Sequence, residues 1–258
     1  MPAGPVGVFD SGVGGLSILR ALRVELPGED FIYFADTAHA PYGERGDPYV
    51  IDRSRAIVEQ LRTQHGIKAL VVACNTATAA AIHLLRADHP DLPMVGVEPA
   101  LKPAVAHSTT RRIGVLATRG TLASAKFRSL HDSLKGEAEF ILQACDGLAD
   151  AIERADAARI EALSLQYLSS MGPFGKRNGQ VDALVLGCTH YPFVDAVLAR
   201  IVGPEVRLIE TGQPVARQTR RLLEAGGTLR VATPGQVRLL GTSAQGSLEE
   251  AASRWLGL

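Results

Sequence analysis

The sequence predicts an α/β protein of two similar lobes, each a mostly parallel sheet flanked by helices. Short apolar, β-branched segments alternate with segments of helical periodicity along most of the 258 residues. Such alternation favours parallel sheets, because each crossover helix returns the chain to the same end of the sheet. A strand, turn and helix pattern at residues 69–78 also recurs at residues 183–192, and each copy carries one cysteine just past its apolar run.

Composition excludes several classes of protein. Hydrophobic residues make up 46% of the chain, enough for a substantial core, and 27 basic residues balance 27 acidic ones. A balanced charge predicts no nucleic-acid partner. Three cysteines do not form a disulfide framework, and neither a leader sequence nor an apolar run of about 18 residues is evident. We therefore expect a cytoplasmic protein without membrane association.

The elements of the first half are bounded by clear breakers. Pro27-Gly28 closes the first helix and Gly66 closes the second, while strands end in polar residues. The predicted order is strand Val6 to Phe9, helix Leu16 to Leu26, strand Phe31 to Phe34, helix Tyr49 to His65, strand Ile67 to Ala73, helix Thr76 to Asp88 and strand Pro93 to Val97.

The second half follows the same rhythm. Its predicted elements are a helix to about His107, strand Arg112 to Ala117, helix Leu122 to Leu134, strand Phe140 to Ala144, helices Leu148 to Ala155 and Ala158 to Met171, strand Asp182 to Leu186, helix Val194 to Ile201, strand Val206 to Ile209, helix Gln213 to Ala225, strands Leu229 to Ala232 and Val237 to Leu240 paired through Pro234-Gly235, and an amphipathic helix around Leu248 to Trp255.

Polar clusters follow most strands, where parallel sheets bind ligands. Because the strands bearing Cys74 and Cys188 are far apart in sequence, we expect two lobes that face each other across a cleft holding the active site. The glycine loop 12–15 lacks the third glycine of a dinucleotide fingerprint and favours a small anion such as a carboxylate. Cys188 and His190 are too close for a usual zinc pair, and no redox C-x-x-C occurs, so neither metal nor cofactor is predicted.

Two cysteines at equivalent positions favour a symmetric task. A single nucleophile, Cys188 beside His190, would suit a hydrolase or amidase but leaves Cys74 without a role. Racemisation fits both: one thiolate removes a proton from a carbon, and the other thiol returns one to the opposite face. Cys145 has no counterpart and is expected to be structural.

On these residues the chain resembles the glutamate racemases of the aspartate/glutamate racemase superfamily, over nearly its whole length. The motifs that carry the resemblance are Phe9-Asp10-Ser11-Gly12-Val13-Gly14-Gly15, Asp36-Thr37, Pro41-Tyr42-Gly43, Ala73-Cys74-Asn75-Thr76-Ala77, Glu98-Pro99-Ala100, Gly114-Val115-Leu116-Ala117-Thr118 and Leu186-Gly187-Cys188-Thr189-His190-Tyr191-Pro192.

The resemblance implies a cofactor-independent enzyme that supplies D-glutamate for peptidoglycan synthesis, and often a homodimer. It implies pseudo-symmetric lobes of residues 1–97 plus 208–258 and of residues 98–207. Cys74 would serve the D-enantiomer and Cys188 the L-enantiomer. Substrate contacts would be Asp10, Ser11, Tyr42, Gly43, Asn75, Thr76, Thr189 and His190, while Asp10, His190 and Glu153 would tune the thiols.

Two alternatives stay open at this stage. A sister racemase acting on aspartate or another small amino acid would share the two-cysteine chemistry and differ only in pocket depth. A non-catalytic protein on the same scaffold, for example one that sequesters another enzyme, would not need the thiols.

Overall fold

Two parallel sheets organise the chain. The structure is a computed structural model that describes residues 4–231, 233–242 and 246–257, without the side chain of Ser247. The strands in these ranges are β1 (Val6–Asp10), β2 (Phe31–Ala35), β3 (Ala69–Val72), β4 (Met94–Gly96), β5 (Arg112–Ala117), β6 (Glu139–Ala144), β7 (Ala183–Gly187), β8 (Arg207–Ile209) and β9 (Val237–Gly241).

The strand order is β4-β3-β1-β2-β9 in the first sheet and β6-β5-β7-β8 in the second. Every pairing between these strands is parallel. The central strands β1, β3, β5 and β7 are buried along nearly their whole length, as expected for parallel sheets covered on both faces. The predicted α/β class with two parallel, helix-flanked sheets is confirmed.

The helices connect successive strands. They are α1 (Leu16–Glu25), α2 (Asp47–His65), α3 (Asn75–Asp88), α4 (Leu101–His107), α5 (Arg119–Ala123), α6 (Ala125–Asp132), α7 (Leu148–Glu153), α8 (Ala157–Ser169), α9 (Asp195–Val202), α10 (Gly212–Ala225) and α11 (Ser247–Leu256), with 3-10 turns at Thr37–His39, Tyr42–Glu44 and Tyr191–Val194. Within the described ranges, none of these helices is both long and apolar enough to cross a membrane.

The chain divides into two compact units. One takes Met1–Val97 with Gly212–Leu258, and the other takes Glu98–Thr211. The second boundary falls after Thr211, whereas the sequence predicts it between residues 207 and 208. The difference arises because β8 pairs with β7 and so belongs to the second sheet. Each unit has its own core of aliphatic and aromatic side chains between sheet and helices.

Two predicted elements are wrong in detail. The helix expected over residues 122–134 is interrupted at Ser124, whose extended backbone ends α5 and whose hydroxyl caps α6 by accepting a hydrogen bond from Phe127 N at 3.0 Å. Residues 229–231 form no strand, and Ala232 lies outside the described residues. Strand β9 therefore has no hairpin partner there and instead pairs in parallel with β2.

Asp182, just before β7, stabilises the turn of residues 108–110 that leads into β5. Its carboxylate accepts hydrogen bonds from Ser108 Oγ at 2.5 Å, Thr109 N at 2.6 Å, Thr109 Oγ1 at 2.8 Å and Thr110 N at 3.0 Å. Burial alone would raise the pKa of Asp182, but these bonds outweigh it and lower the pKa to about 2. The ionised carboxylate is therefore a stabilising part of the second unit.

We predict that Asp182→Asn lowers the free energy of unfolding at pH 7 by ~2 kcal/mol, the value that a pKa depression of this size implies. Because the folded pKa is depressed, the stabilisation is present above the unfolded pKa near 3.8 and is lost as the pH falls through about 2. Denaturant titrations between pH 7 and pH 2 should show that the free energies of unfolding of wild type and variant converge as the pH falls.

Asp132→Asn is the control, because the Asp132 side chain is 74% exposed. This change should alter stability by no more than ~0.5 kcal/mol. Equal stability of Asp182→Asn and wild type at pH 7, or a difference that stays constant down to pH 2, would contradict the role assigned to Asp182.

Candidate active site

Cys74 occupies the turn between β3 and α3 in the first unit. It is the N-cap residue of α3, where its sulfur accepts a hydrogen bond from Ala77 N at 3.5 Å. The thiol is buried and also lies within hydrogen-bond distance, 3.8 Å, of Ser11 Oγ. The N-terminus of a helix favours negative charge, so this position stabilises a thiolate on Cys74.

The pairing of β1 with β3 brings Asp10 and Ser11 to the same sheet edge as Cys74. Ala73 N donates to Phe9 O at 2.8 Å, which continues the pairing to the end of both strands. Asp10 is fully buried, and its carboxylate accepts a hydrogen bond from Gly15 N at 2.7 Å. The glycine loop therefore wraps the Asp10 carboxylate itself, and Ser11 is the loop residue that reaches the thiol.

Asn75 and Thr76 open helix α3 directly after Cys74, and both are buried. The amide nitrogen and oxygen of the Asn75 side chain have no hydrogen-bond partner among the described residues. Leaving a buried amide unpaired costs ~1–3 kcal/mol, so we expect a ligand or an ordered water to pair with it. This side chain is suited to hold a polar ligand next to Cys74.

The predicted contacts Tyr42 and Gly43 lie on a 3-10 turn, Tyr42–Glu44, in the same unit. The Tyr42 hydroxyl donates to Asp36 Oδ2 at 2.5 Å. Burial and this bond raise the pKa of Tyr42 far above its ordinary value, so the hydroxyl stays protonated. Asp36, which the sequence analysis did not place among the site residues, thus engages the Tyr42 side chain. The Asp36-Thr37 motif, which contributes to the family resemblance, was the feature of the sequence that could have pointed to Asp36.

Cys188 follows β7 in the second unit and heads a chain of three interacting side chains. Its sulfur lies 3.6 Å from His190 Nδ1, and His190 Nε2 lies 2.6 Å from Glu153 Oε1. Cys188 and His190 are buried, and Glu153 ends helix α7. Thr189, which lies between Cys188 and His190 in the sequence, is buried as well. The structure therefore brings Cys188, His190 and Glu153 together, and the sequence analysis named all three as site residues.

The surroundings of His190 favour its protonated form. Burial alone would lower its pKa, but hydrogen bonds with Cys188 and Glu153 and the charges of both partners raise the pKa well above its usual value. When protonated, the ring donates from both nitrogens, to the Cys188 sulfur and to the Glu153 carboxylate. The ring thereby links the Cys188 sulfur to the Glu153 carboxylate.

Cys145 directly follows β6, a strand of the same sheet as β7, which Cys188 follows. Burial raises the pKa of the Cys145 thiol to about 12, and the nearby Cys188 acts in the same direction. A thiol with so high a pKa stays protonated near neutral pH and is a poor acid or base. Cys145 has the character expected for a structural residue.

The predicted site residues are divided between the two units. The first unit holds Asp10, Ser11, Tyr42, Gly43, Cys74, Asn75 and Thr76, and the second holds Glu153, Cys188, Thr189 and His190. In the part of the chain that the structure describes, no three His, Cys, Asp or Glu side chains are grouped so that they could hold a metal ion. Each group presents one thiol, donors for the thiolate and polar side chains beside it.

Comparisons with known proteins identify the chain as an enzyme of the isomerase class, a racemase. Residues 16–219 match the family model of the Asp/Glu/Hydantoin racemases, and the chain belongs to this family. The family resemblance predicted from the motifs is confirmed.

Similar proteins include both curated relatives and solved structures. The glutamate racemase of Ralstonia pickettii (strain 12J) is 50% identical over 225 residues, which cover 86% of this chain and 77% of that protein. A crystal structure of the Francisella tularensis glutamate racemase with D-glutamate is 27% identical, with a TM-score of 0.83, covering 100% of this chain and 95% of that one. The Escherichia coli glutamate racemase, solved with L-glutamate and the activator UDP-MurNAc-Ala, is 29% identical with a TM-score of 0.83, covering 98% and 94%.

We predict that Glu153→Gln lowers the pKa of His190, because the neutral amide removes the negative charge that favours the imidazolium. Imidazole ¹H–¹⁵N spectra recorded over a pH series would follow the titration of His190 directly.

Glu161→Gln is the matched control, since Glu161 forms its ion pair with Arg200 on the exposed surface of the same unit. The His190 titration should be unchanged in this control. An unchanged titration in Glu153→Gln would show that Glu153 does not set the charge of the ring.

Proposed function

We propose that the protein is a glutamate racemase that interconverts L- and D-glutamate without a cofactor, with Cys74 and Cys188 as its two acid/base residues. The observation that carries the proposal is the thiol at the end of one buried strand in each unit, with polar side chains directly behind it. The solved relatives that bind L-glutamate and D-glutamate support the choice of substrate.

Proton transfer balances with one thiolate and one thiol in the resting enzyme. In the D-to-L direction the Cys74 thiolate takes the α-proton of D-glutamate, so that a C–H bond breaks and an S–H bond forms. The electron pair passes to the α-carboxylate as an enediolate. The Cys188 thiol then gives its proton to the opposite face of the carbon, and the reverse reaction exchanges the roles.

The two thiols are activated by different groups. The start of α3 favours a thiolate on Cys74, and Ser11 Oγ, which accepts from the Cys74 thiol, can turn its hydroxyl to donate to the thiolate. His190, bonded to Glu153, is placed to donate to the Cys188 sulfur. We assign Asp10, beside Ser11 at the same sheet edge, to tuning the first thiol.

The enediolate needs donors that are already oriented, because charge develops on the carboxylate as the proton leaves. We assign this task to Asn75 and Thr76 after the first cysteine and to Thr189 and His190 after the second. Tyr42, Gly43 and Ser11 complete the proposed contacts. The unpaired amide of Asn75 is the strongest support for ligand binding at this position.

D-Glutamate is a component of peptidoglycan, so the proposed activity supplies a cell-wall precursor in the cytoplasm. A homodimer is the assembly that the family resemblance favours.

Aspartate is the competing substrate, and one experiment separates the two. We predict that L-glutamate loses optical rotation when incubated with the protein in deuterium oxide without pyridoxal phosphate, whereas L-aspartate does not. With two bases, the product should carry deuterium at the α-carbon while recovered substrate gains little at early times. Mass spectrometry of the separated enantiomers checks this. Equal early exchange into substrate and product would indicate a single shared base, and turnover of aspartate alone would overturn the substrate assignment.

Replacing either proposed base should abolish most of the activity. We expect Cys74→Ser and Cys188→Ser each to lower turnover by ~10²–10⁴-fold or more, because a serine hydroxyl is a far weaker acid than a thiol. Polarimetry in both directions measures the loss.

Cys145→Ser is the control and should remain within a few-fold of wild type, because the Cys145 thiol is protonated and takes no part in the proposed transfer. Full activity of either Cys74→Ser or Cys188→Ser would contradict the two-base mechanism.

A further inference from the structure

A buried carboxylate outside the proposed proton path holds the turn that carries Tyr42 and Gly43. Asp36 follows β2 and is fully buried. Its Oδ2 accepts from the Tyr42 hydroxyl at 2.5 Å and from Arg53 Nε at 2.9 Å, while Oδ1 accepts from Arg53 Nη2 at 2.8 Å. The carboxylate therefore joins the turn to helix α2 by a bidentate ion pair, the strongest form of such a contact.

Burying the Asp36 carboxylate and its arginine partner costs hydration free energy, and a purely structural role does not explain that cost well. A buried ionised carboxylate and its partner lose hydration, and a well-packed apolar pair of similar size is often equally stable or more so. Burial alone would raise the pKa of Asp36, but Arg53 and Tyr42 outweigh it and keep the pKa below its usual range. A polar group of this kind fixes geometry more than it adds stability.

The geometry that it fixes is next to Cys74. The 3-10 turn Tyr42–Glu44 contacts helix α3, and the charge of Cys74, the N-cap residue of that helix, acts on Tyr42. Tyr42 and Cys74 belong to the same buried cluster of side chains. The position of the turn relative to the start of α3 thus depends on the bond between Tyr42 and Asp36, and Arg53 orients Asp36 from the other side.

We infer that Asp36 and Arg53 are positioning residues for substrate binding: together they hold the Tyr42-Gly43 turn at the start of α3, where the glutamate substrate binds next to Cys74. The inference rests on the proposed function for the identity of the substrate. Neither residue touches the substrate or transfers a proton, so both act through Tyr42.

The test compares Arg53→Met with Arg55→Met. Both arginines lie on α2, and each forms an ion pair with an aspartate, but Arg55 pairs with Asp88 on the exposed surface. Arg53→Met should raise KM for glutamate about tenfold, the scale of losing a hydrogen bond to a charged group, with a smaller change in kcat. Arg55→Met should leave both parameters unchanged.

Arg53, Asp36 and Tyr42 are joined by hydrogen bonds, and Asp36→Asn and Tyr42→Phe interrupt the same connection at its other two residues. If the three residues act as one unit, the double variant Asp36→Asn/Arg53→Met should raise KM no further than the larger single change does. Arg53→Lys keeps the charge without the bidentate geometry and should give an intermediate KM. It also provides a test if Asp36→Asn does not fold.

Hydrogen exchange gives a readout that does not depend on the substrate. Amides of residues 37–46 should exchange faster in Arg53→Met than in wild type or Arg55→Met. Faster exchange with unchanged KM would overturn the role in substrate binding, and unchanged exchange would overturn the anchoring of the turn. If the wild type fails to racemise glutamate, the proposed function fails, while the exchange result still decides whether the turn is anchored.

Discussion

The pairing of β1 with β3 and of β5 with β7 is the constraint on which the rest of the structure depends. Parallel strands in register end at one edge of their sheet, so whatever follows them is brought together. In the first unit this edge gathers Asp10, Ser11 and Cys74, and in the second it carries Cys188. A slip by one residue would turn each strand's side chains to the opposite face and move the thiol away from its partners.

The polar groups buried near these edges are stabilised by partners rather than by solvent. Asp36 has Arg53 and Tyr42, and Asp10 has the amide of Gly15. At the opposite edge of the first sheet, Glu29 and Lys68 form a buried ion pair at 2.6 Å. Removing one member of such a pair costs far more than the pair contributes, because the other charge stays buried. The Asn75 amide differs, since no described residue satisfies it.

The two units repeat an architecture but not a chemistry. Cys74 lies at a helix start and donates to Ser11 Oγ, whereas the Cys188 sulfur contacts a histidine that is bonded to Glu153. Mirror-image substrates impose this kind of asymmetry, because a chiral protein cannot present equivalent surroundings to both enantiomers.

The sequence by itself determined the α/β class, the repeat and the positions of Cys74 and Cys188, because strand patterns and strand-end polar residues are local signals. It also gave Glu153, but only through family resemblance. Tertiary structure alone decided the contacts between residues far apart in the chain. These include His190 with Glu153, Asp36 with Arg53, and β9 beside β2 instead of in a hairpin. Such contacts depend on how crossovers return the chain to a sheet, and no local pattern of residues encodes the partner.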